Sequence, residues 1–131
     1  MKQLFEEAKK AQQQSYSPYS NFPVGAVIEG EDGTLYAGSN IENASYSLTN
    51  CAERTAIFHA ITQGARDFKR LAVIGPNEEP IAPCGACRQV LAEFCRPDMP
   101  VLMFNQQGEV TETTVEQLLP AAFSKEDVYG L

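Results

Sequence analysis

Three cysteines restrict this chain more than any other feature of its sequence. Cys84 and Cys87 form a C-x-x-C pair within Pro83-Cys84-Gly85-Ala86-Cys87, Cys51 stands 33 residues before Cys84, and a fourth cysteine, Cys95, follows Cys87 by eight. The N-terminal stretch MKQLFEEAKKAQQQ carries no signal-peptide apolar region, so the expected location is cytoplasmic. In that compartment thiols serve metal binding or catalysis more often than disulfides. Apolar periodicity predicts helices over 51–63 and 84–95, which puts Cys51 and Cys84 at helix starts. Cys84 and Cys87 then share a face, because i and i+3 are neighbours on a helix. Three thiolates can meet at two helix N-termini, where the positive end of the helix dipole steadies the anions.

The rest of the chain reads as strands alternating with helices. Leu4, Phe5, Ala8 and Ala11 follow helical spacing, so 2–14 is a helix, and 15–21 is loop chemistry. Phe22 to Glu29 reads as a strand, Gly30-Glu31-Asp32-Gly33 as a turn and Thr34 to Gly38 as the hairpin partner. Residues 39–50 form a polar connector containing Asn40, Glu42 and Asn43. The helix over 51–63 turns Ile57, Ala60 and Ile61 inward, and Leu71 to Ile74 is a buried strand. Three prolines make Gly75 to Pro83 a loop. The helix over 84–95 presents Cys87, Val90, Leu91 and Phe94 as one stripe and ends before Pro97 and Pro100. Strands over 101–104 and 109–113 flank a Gln106-Gln107-Gly108 turn, and a short helix from Val115 to Leu119 is stopped by Pro120. This order indicates an α/β sheet covered on both faces.

Length and charge narrow the class of partner. With 131 residues, 44% hydrophobic and 21% charged, the expectation is one globular domain over 1–131. A net charge of −7, with Lys9-Lys10 and Lys69-Arg70 as the only dibasic steps, argues against nucleic acid and anionic membrane as partners. No apolar run approaches the roughly 18 residues of a membrane span.

Zinc suits three sulfur ligands in a tetrahedron. Cys95 and His59 each lie eight residues, about 12 Å of helix, beyond Cys87 and Cys51, too far to close the site. The fourth position is then open to water, as in catalytic zinc. Three buried thiols, a redox pair that leaves Cys51 without a role, and structural zinc with Glu53 as fourth ligand remain alternatives. Glu53, two positions after Cys51, is either a proton shuttle beside the zinc-activated water or an acid complementing the helix dipole. Arg54 either offsets the net −1 of three thiolates on Zn²⁺ or is a solvated surface base.

Cys51-Ala52-Glu53 followed by Pro83-Cys84-Gly85-Ala86-Cys87 resembles the zinc-dependent cytidine deaminases, whose signature this is. Phe22-Pro23-Val24-Gly25-Ala26, Asn40-Ile41-Glu42-Asn43-Ala44, Cys51 to Ala56 and Leu118 to Phe123 resemble further blocks of that family, and the likeness spans Tyr16 to Phe123. Cysteine at position 51 is similar to the short, homotetrameric three-cysteine branch. The resemblance implies a three-layer α-β-α sandwich with a mixed five-stranded sheet and one Zn²⁺ per chain. It implies hydrolytic deamination of cytidine and deoxycytidine in pyrimidine salvage, with Glu53 as the shuttle. It also implies Asn40 and Glu42 on the ribose hydroxyls, Phe22 against the nucleoside, the Ala52 backbone on the base edge, and active sites shared between chains through Phe123. A deaminase of the nucleoside antibiotic blasticidin S shares the Ile74 to Leu91 pattern, while the Asn40 to Asn43 block and Phe123 favour cytidine. A structural zinc module docking a protein is the rival from another class; a nucleic-acid base editor is disfavoured by charge.

Overall fold

The computed structural model describes residues 1–130. The order is α1 (Lys2–Gln13), β1 (Gly25–Gly30), β2 (Leu35–Ser39), a 3-10 turn at Tyr46–Leu48, α2 (Ala52–Thr62), β3 (Phe68–Ile74), α3 (Gly85–Phe94), β4 (Pro100–Phe104), β5 (Val110–Thr114), α4 (Val115–Leu118) and α5 (Lys125–Tyr129). The strands form one five-stranded sheet in the order β2-β1-β3-β4-β5. β3 and β4 pair in parallel and every other pair is antiparallel, so the sheet is mixed.

Strand alternation sorts the core into two layers. Ala26 and Ile28, Leu71 and Val73, and Val101 and Met103 face one side, where Ala52, Ala56, Ile57 and Ala60 of α2 and Cys87 and Leu91 of α3 are buried. Val27, Ala72, Ile74, Leu102 and Phe104 face the other, against Leu4 and Ala8 of α1. Because side chains alternate with period two, each central strand serves both layers and reads as a continuous apolar run. The result is the three-layer sandwich that the strand–helix alternation predicts.

The topology brings two helix starts together. β2 and β3 are each antiparallel to β1, which lies between them, so they point the same way. α2 follows β2 and α3 follows β3, so both helices begin at the same end of the sheet. Open α/β sheets bind ligands at that end, beyond the carboxyl ends of the strands.

Several boundaries differ from the sequence expectation, each for a physical reason. The first strand begins at Gly25 instead of Phe22. Pro23 has no amide hydrogen to pair, and the Phe22 carbonyl and Val24 amide are bonded by the Asn40 side chain. β3 starts at Phe68, earlier than Leu71, and its Arg70 pairs with Glu29 of β1 at 2.6 Å. Phe94, expected in the buried stripe of α3, is exposed at the helix end. α5 was not expected from the sequence; a capping box between Ser124 and Asp127 starts it. No helix among the described residues is long and apolar enough to cross a membrane.

Candidate metal centre and cleft

Cys51 is the N-cap of α2 and Cys84 the N-cap of α3, both with extended backbone, and neither side chain makes a capping bond. N-cap positions favour Ser, Thr, Asp and Asn, whose oxygens accept from the first helical amides. A cysteine there forgoes that bond, so both sulfurs are available elsewhere. With Cys87 on the first turn of α3, the three Sγ atoms lie within 4.8 Å of one another. Cys51 Sγ and Cys84 Sγ stand 3.6 Å apart. Two sulfurs bound to one tetrahedral zinc at about 2.3 Å would be about 3.8 Å apart. All four cysteines are free thiols. The donor set therefore fits a zinc ion in both chemistry and spacing. Glu53 is not in that cluster, and among the described residues no fourth protein ligand joins it.

The thiols share charge in a way that suits metal binding. The Cys87 thiol donating to it, and then the Arg54 guanidinium, hold Cys51 below the ordinary thiol range. Cys87 is pushed up by the same bond and by burial. Arg54 Nη2 donates to Cys51 Sγ at 3.5 Å, while its Nε is buried with no partner. The guanidinium thus lies against the sulfurs, which overturns the solvated-surface alternative for this residue. Cys95 lies at the far end of α3, and burial pushes its thiol up to about 12. His59 is exposed on α2, with Nδ1 3.1 Å from the Ala37 carbonyl oxygen.

Glu53 is 4% exposed in the first turn of α2. Burial pushes its carboxyl up to about 7, and the negative charge on Cys51 adds to the shift. A carboxyl balanced near neutral pH can both accept and return a proton.

Above the sulfurs opens a cleft of about 360 Å³. It is lined by Cys51, Ala52, Glu53 and Cys84 together with Asn40, Glu42, Ser20, Thr49, Phe22, Val24, Ile81 and Ala82. The Asn40 side chain is buried and nearly saturated. Its Oδ1 accepts from the Val24 amide at 2.9 Å and from Ser15 Oγ, and its Nδ2 donates to the Phe22 carbonyl at 2.9 Å. One amide hydrogen remains, so Asn40 has a donor and no acceptor left to offer. Glu42 accepts from the Tyr19 and Ser20 amides at 3.0 and 3.1 Å and from Ser20 Oγ, which lowers its pKa, chiefly through that hydroxyl.

Of the residues singled out from the sequence, Phe22, Asn40, Glu42, Cys51, Ala52, Glu53 and Cys84 line this cleft, with Cys87 and Arg54 beside the sulfurs. Phe123 does not. It is 64% exposed, and its carbonyl accepts from Gln89 Nε2 at 2.8 Å. Ser20, Thr49, Ile81 and Ala82 were not singled out. The last two stand in the loop leading from β3 into α3, a position that alone could have marked them. A larger cleft of about 530 Å³ lies between the end of α3 and the C-terminal segment, but it holds no cluster of ligating groups, so size does not identify the site.

Known proteins resemble this chain closely. The family model described as the cytidine and deoxycytidylate deaminase zinc-binding region matches residues 1–103. A cytidine deaminase of Sporosarcina psychrophila is 59% identical over 128 residues, covering 98% of this chain and 94% of that protein. One from Halalkalibacterium halodurans is 52% identical, covering 95% of each. The crystal structure of a cytidine deaminase from Burkholderia pseudomallei superposes with a TM-score of 0.90 at 51% identity, covering 93% of this chain and 98% of that one.

Proposed function

This chain belongs to the cytidine and deoxycytidylate deaminase family, and from that premise we propose that it converts cytidine and deoxycytidine hydrolytically to uridine and deoxyuridine, releasing ammonia. The observation that carries this reading is the position of Glu53, a buried carboxyl that lines a cleft of about 360 Å³ with Cys51 and Cys84 of the three-thiol zinc site.

Cys51, Cys84 and Cys87 would hold the zinc, which when bound supplies the Lewis acidity that makes water nucleophilic near neutral pH. Arg54 stabilises the thiolates and offsets their charge. Glu53 takes a proton from the attacking water and gives it to N3 of the base as C4 becomes tetrahedral. It takes the second proton and delivers it to the exocyclic amine, which leaves as ammonia, so the carboxylate ends as it began. Burial strengthens the carboxylate as the base that takes up each proton, while a carboxyl held near neutral can still hand it on.

The remaining cleft residues bind and orient. Asn40 offers its one free amide hydrogen to a sugar hydroxyl oxygen, and Glu42 accepts from a sugar hydroxyl in place of Ser20 Oγ. Phe22 packs beside the nucleoside, and the Ala52 backbone meets the base edge. The exposed Phe123 is supplied to the cleft of another chain, within the homotetramer with shared sites that the family resemblance implies. Mixing the zinc-loaded protein with cytidine and assaying ammonia tests the reading. Release in step with uridine supports it; an inert, zinc-loaded protein contradicts it and favours the structural-zinc alternative.

A further inference from the structure

We propose that Gly38 is a positioning residue: by admitting α2 to closest approach on the sheet, it places Cys51 and Glu53 relative to Cys84 and Cys87. The inference rests on the three-cysteine zinc reading. Gly38 lies in β2, paired with Ala26 of β1. A Cβ at this position would overlap the Ala56 amide nitrogen and come within 2.8 Å of the Ala52 carbonyl oxygen and the Thr55 carbonyl carbon. All three are backbone atoms of the opening turns of α2, the turns that carry Cys51 and Glu53. No side-chain rotation relieves such an overlap. Nor does Gly38 have a positive φ that would require glycine, so the requirement is for space alone.

β2 is an edge strand, but it is held against yielding in place of the helix. β2 is laddered to β1 from Gly25↔Ser39 to Glu29↔Leu35. The next residue, Asn40, is tied through its side chain to both Phe22 and Val24. Relief to an ordinary contact of about 3.5 Å therefore separates β2 and α2 by about 1 Å at the closest atom, most of it a lift of α2. α3 makes no part of the overlap, so Cys84 and Cys87 stay while Cys51 and Glu53 move. Zinc sites hold their ligand distances to within about 0.2 Å, so this displacement is enough to spoil the site without touching a ligand.

The neighbouring Gly25 supplies an internal comparison. A Cβ there would meet the Ala8 carbonyl oxygen and the Gln12 amide of α1, on the opposite face of the sheet. It is an insult of similar size with no link to the cysteines, and Gly25 too has no positive φ.

The experiment measures zinc affinity by competition with a chromophoric chelator, and the visible spectrum of the Co²⁺-substituted protein, for wild type, Gly38→Ala and Gly25→Ala. Gly38→Ala is expected to bind zinc about 10-fold or more weaker, the size of loss typical of disturbed metal-site support, with shifted Co²⁺ bands. Gly25→Ala is expected to be less stable but to match wild type in both readouts. If Gly38→Ala does not fold, Ala56→Val, which wedges the same buried face of α2 from the helix side, must show the same loss. A folded variant with wild-type affinity and spectrum overturns the inference, as does an equal loss in Gly25→Ala. A wild type without stoichiometric zinc would instead overturn the metal reading, and this inference with it.

Discussion

Cys51 and Cys84 occupy the same position on two different helices: each is the residue just before the first turn, and their sulfurs lie 3.6 Å apart. The pairing follows from the sheet. Two strands running the same way on either side of β1 deliver the chain twice to one end of the sheet, and each time a helix begins there. Both sulfurs stand at the positive end of a helix dipole. A metal bound there joins α2 to α3, which otherwise meet little.

The first consequence concerns metal content. Cys51→Ala, Cys84→Ala or Cys87→Ala should each abolish stoichiometric zinc and lower stability, since binding energy of the metal is folding energy. Cys95→Ala should keep one zinc per chain, because its thiol lies at the far end of α3. Elemental analysis of the purified variants checks both; full zinc in Cys51→Ala would refute the ligand set.

Asn40 and Glu42 should separate under substitution. Asn40→Ala leaves the Val24 amide and Phe22 carbonyl unpaired, at a cost of about 1–3 kcal/mol, and should lower kcat/KM as well. Glu42→Ala loosens only a turn at the cleft mouth, so thermal stability should change little while kcat/KM for cytidine falls. Zinc should remain in both. Equal stability losses, or unchanged kcat/KM in either variant, would contradict these roles.

The raised carboxyl of Glu53 predicts a pH dependence of the metal-free protein. Its folded value, about 7, exceeds its ordinary value of 4.5, so the folded state binds the proton more tightly than the unfolded state. That contribution is complete below about pH 4 and is lost as pH rises through 7. Glu53→Gln removes the effect. Urea unfolding should show the variant gaining on wild type between pH 4.5 and 8, by roughly 3 kcal/mol in total. A constant difference across that range would show that burial does not hold the proton.

Phe123 is expected to act on a neighbouring chain. Phe123→Ala and Glu53→Gln should each be weak or inactive alone. Co-expressed, they form mixed tetramers in which a site with intact Glu53 receives an intact Phe123. Activity per intact Glu53 should then exceed that of Phe123→Ala. No restoration in verified mixed oligomers, or a monomer by sizing, would sink the shared site.

Much of this arrangement was legible in the sequence because it rests on short-range rules. Cysteines at i and i+3, an acid two residues after Cys51, and apolar runs at 71–74 and 101–104 carry their own geometry. What was not legible depends on partners distant in sequence. Asn40 reads as a polar loop residue with both donor and acceptor to offer. Only its bonds to Phe22 and Val24 spend the oxygen and leave a single donor. Arg54, three residues after Cys51 on the same helix, is by contrast a local contact: the charge balance it suggested is met by its approach to Cys51 Sγ at 3.5 Å. The early start of β3 could not be read from Lys69 and Arg70, because Glu29, the partner that accommodates Arg70, is 41 residues away. Phe123 shows the opposite limit. Its exposure describes one chain, and the role proposed for it needs a second.

The most direct test of the central claim is turnover and zinc content measured together in Glu53→Gln. The substitution keeps the size and burial of the side chain and removes its ability to exchange a proton. We expect one zinc per chain, a wild-type fold, and ammonia release from cytidine lowered by at least about 10²–10⁴-fold. Retained turnover with zinc in place would show that the proton travels elsewhere, and loss of zinc would make Glu53 a ligand; either result contradicts the account.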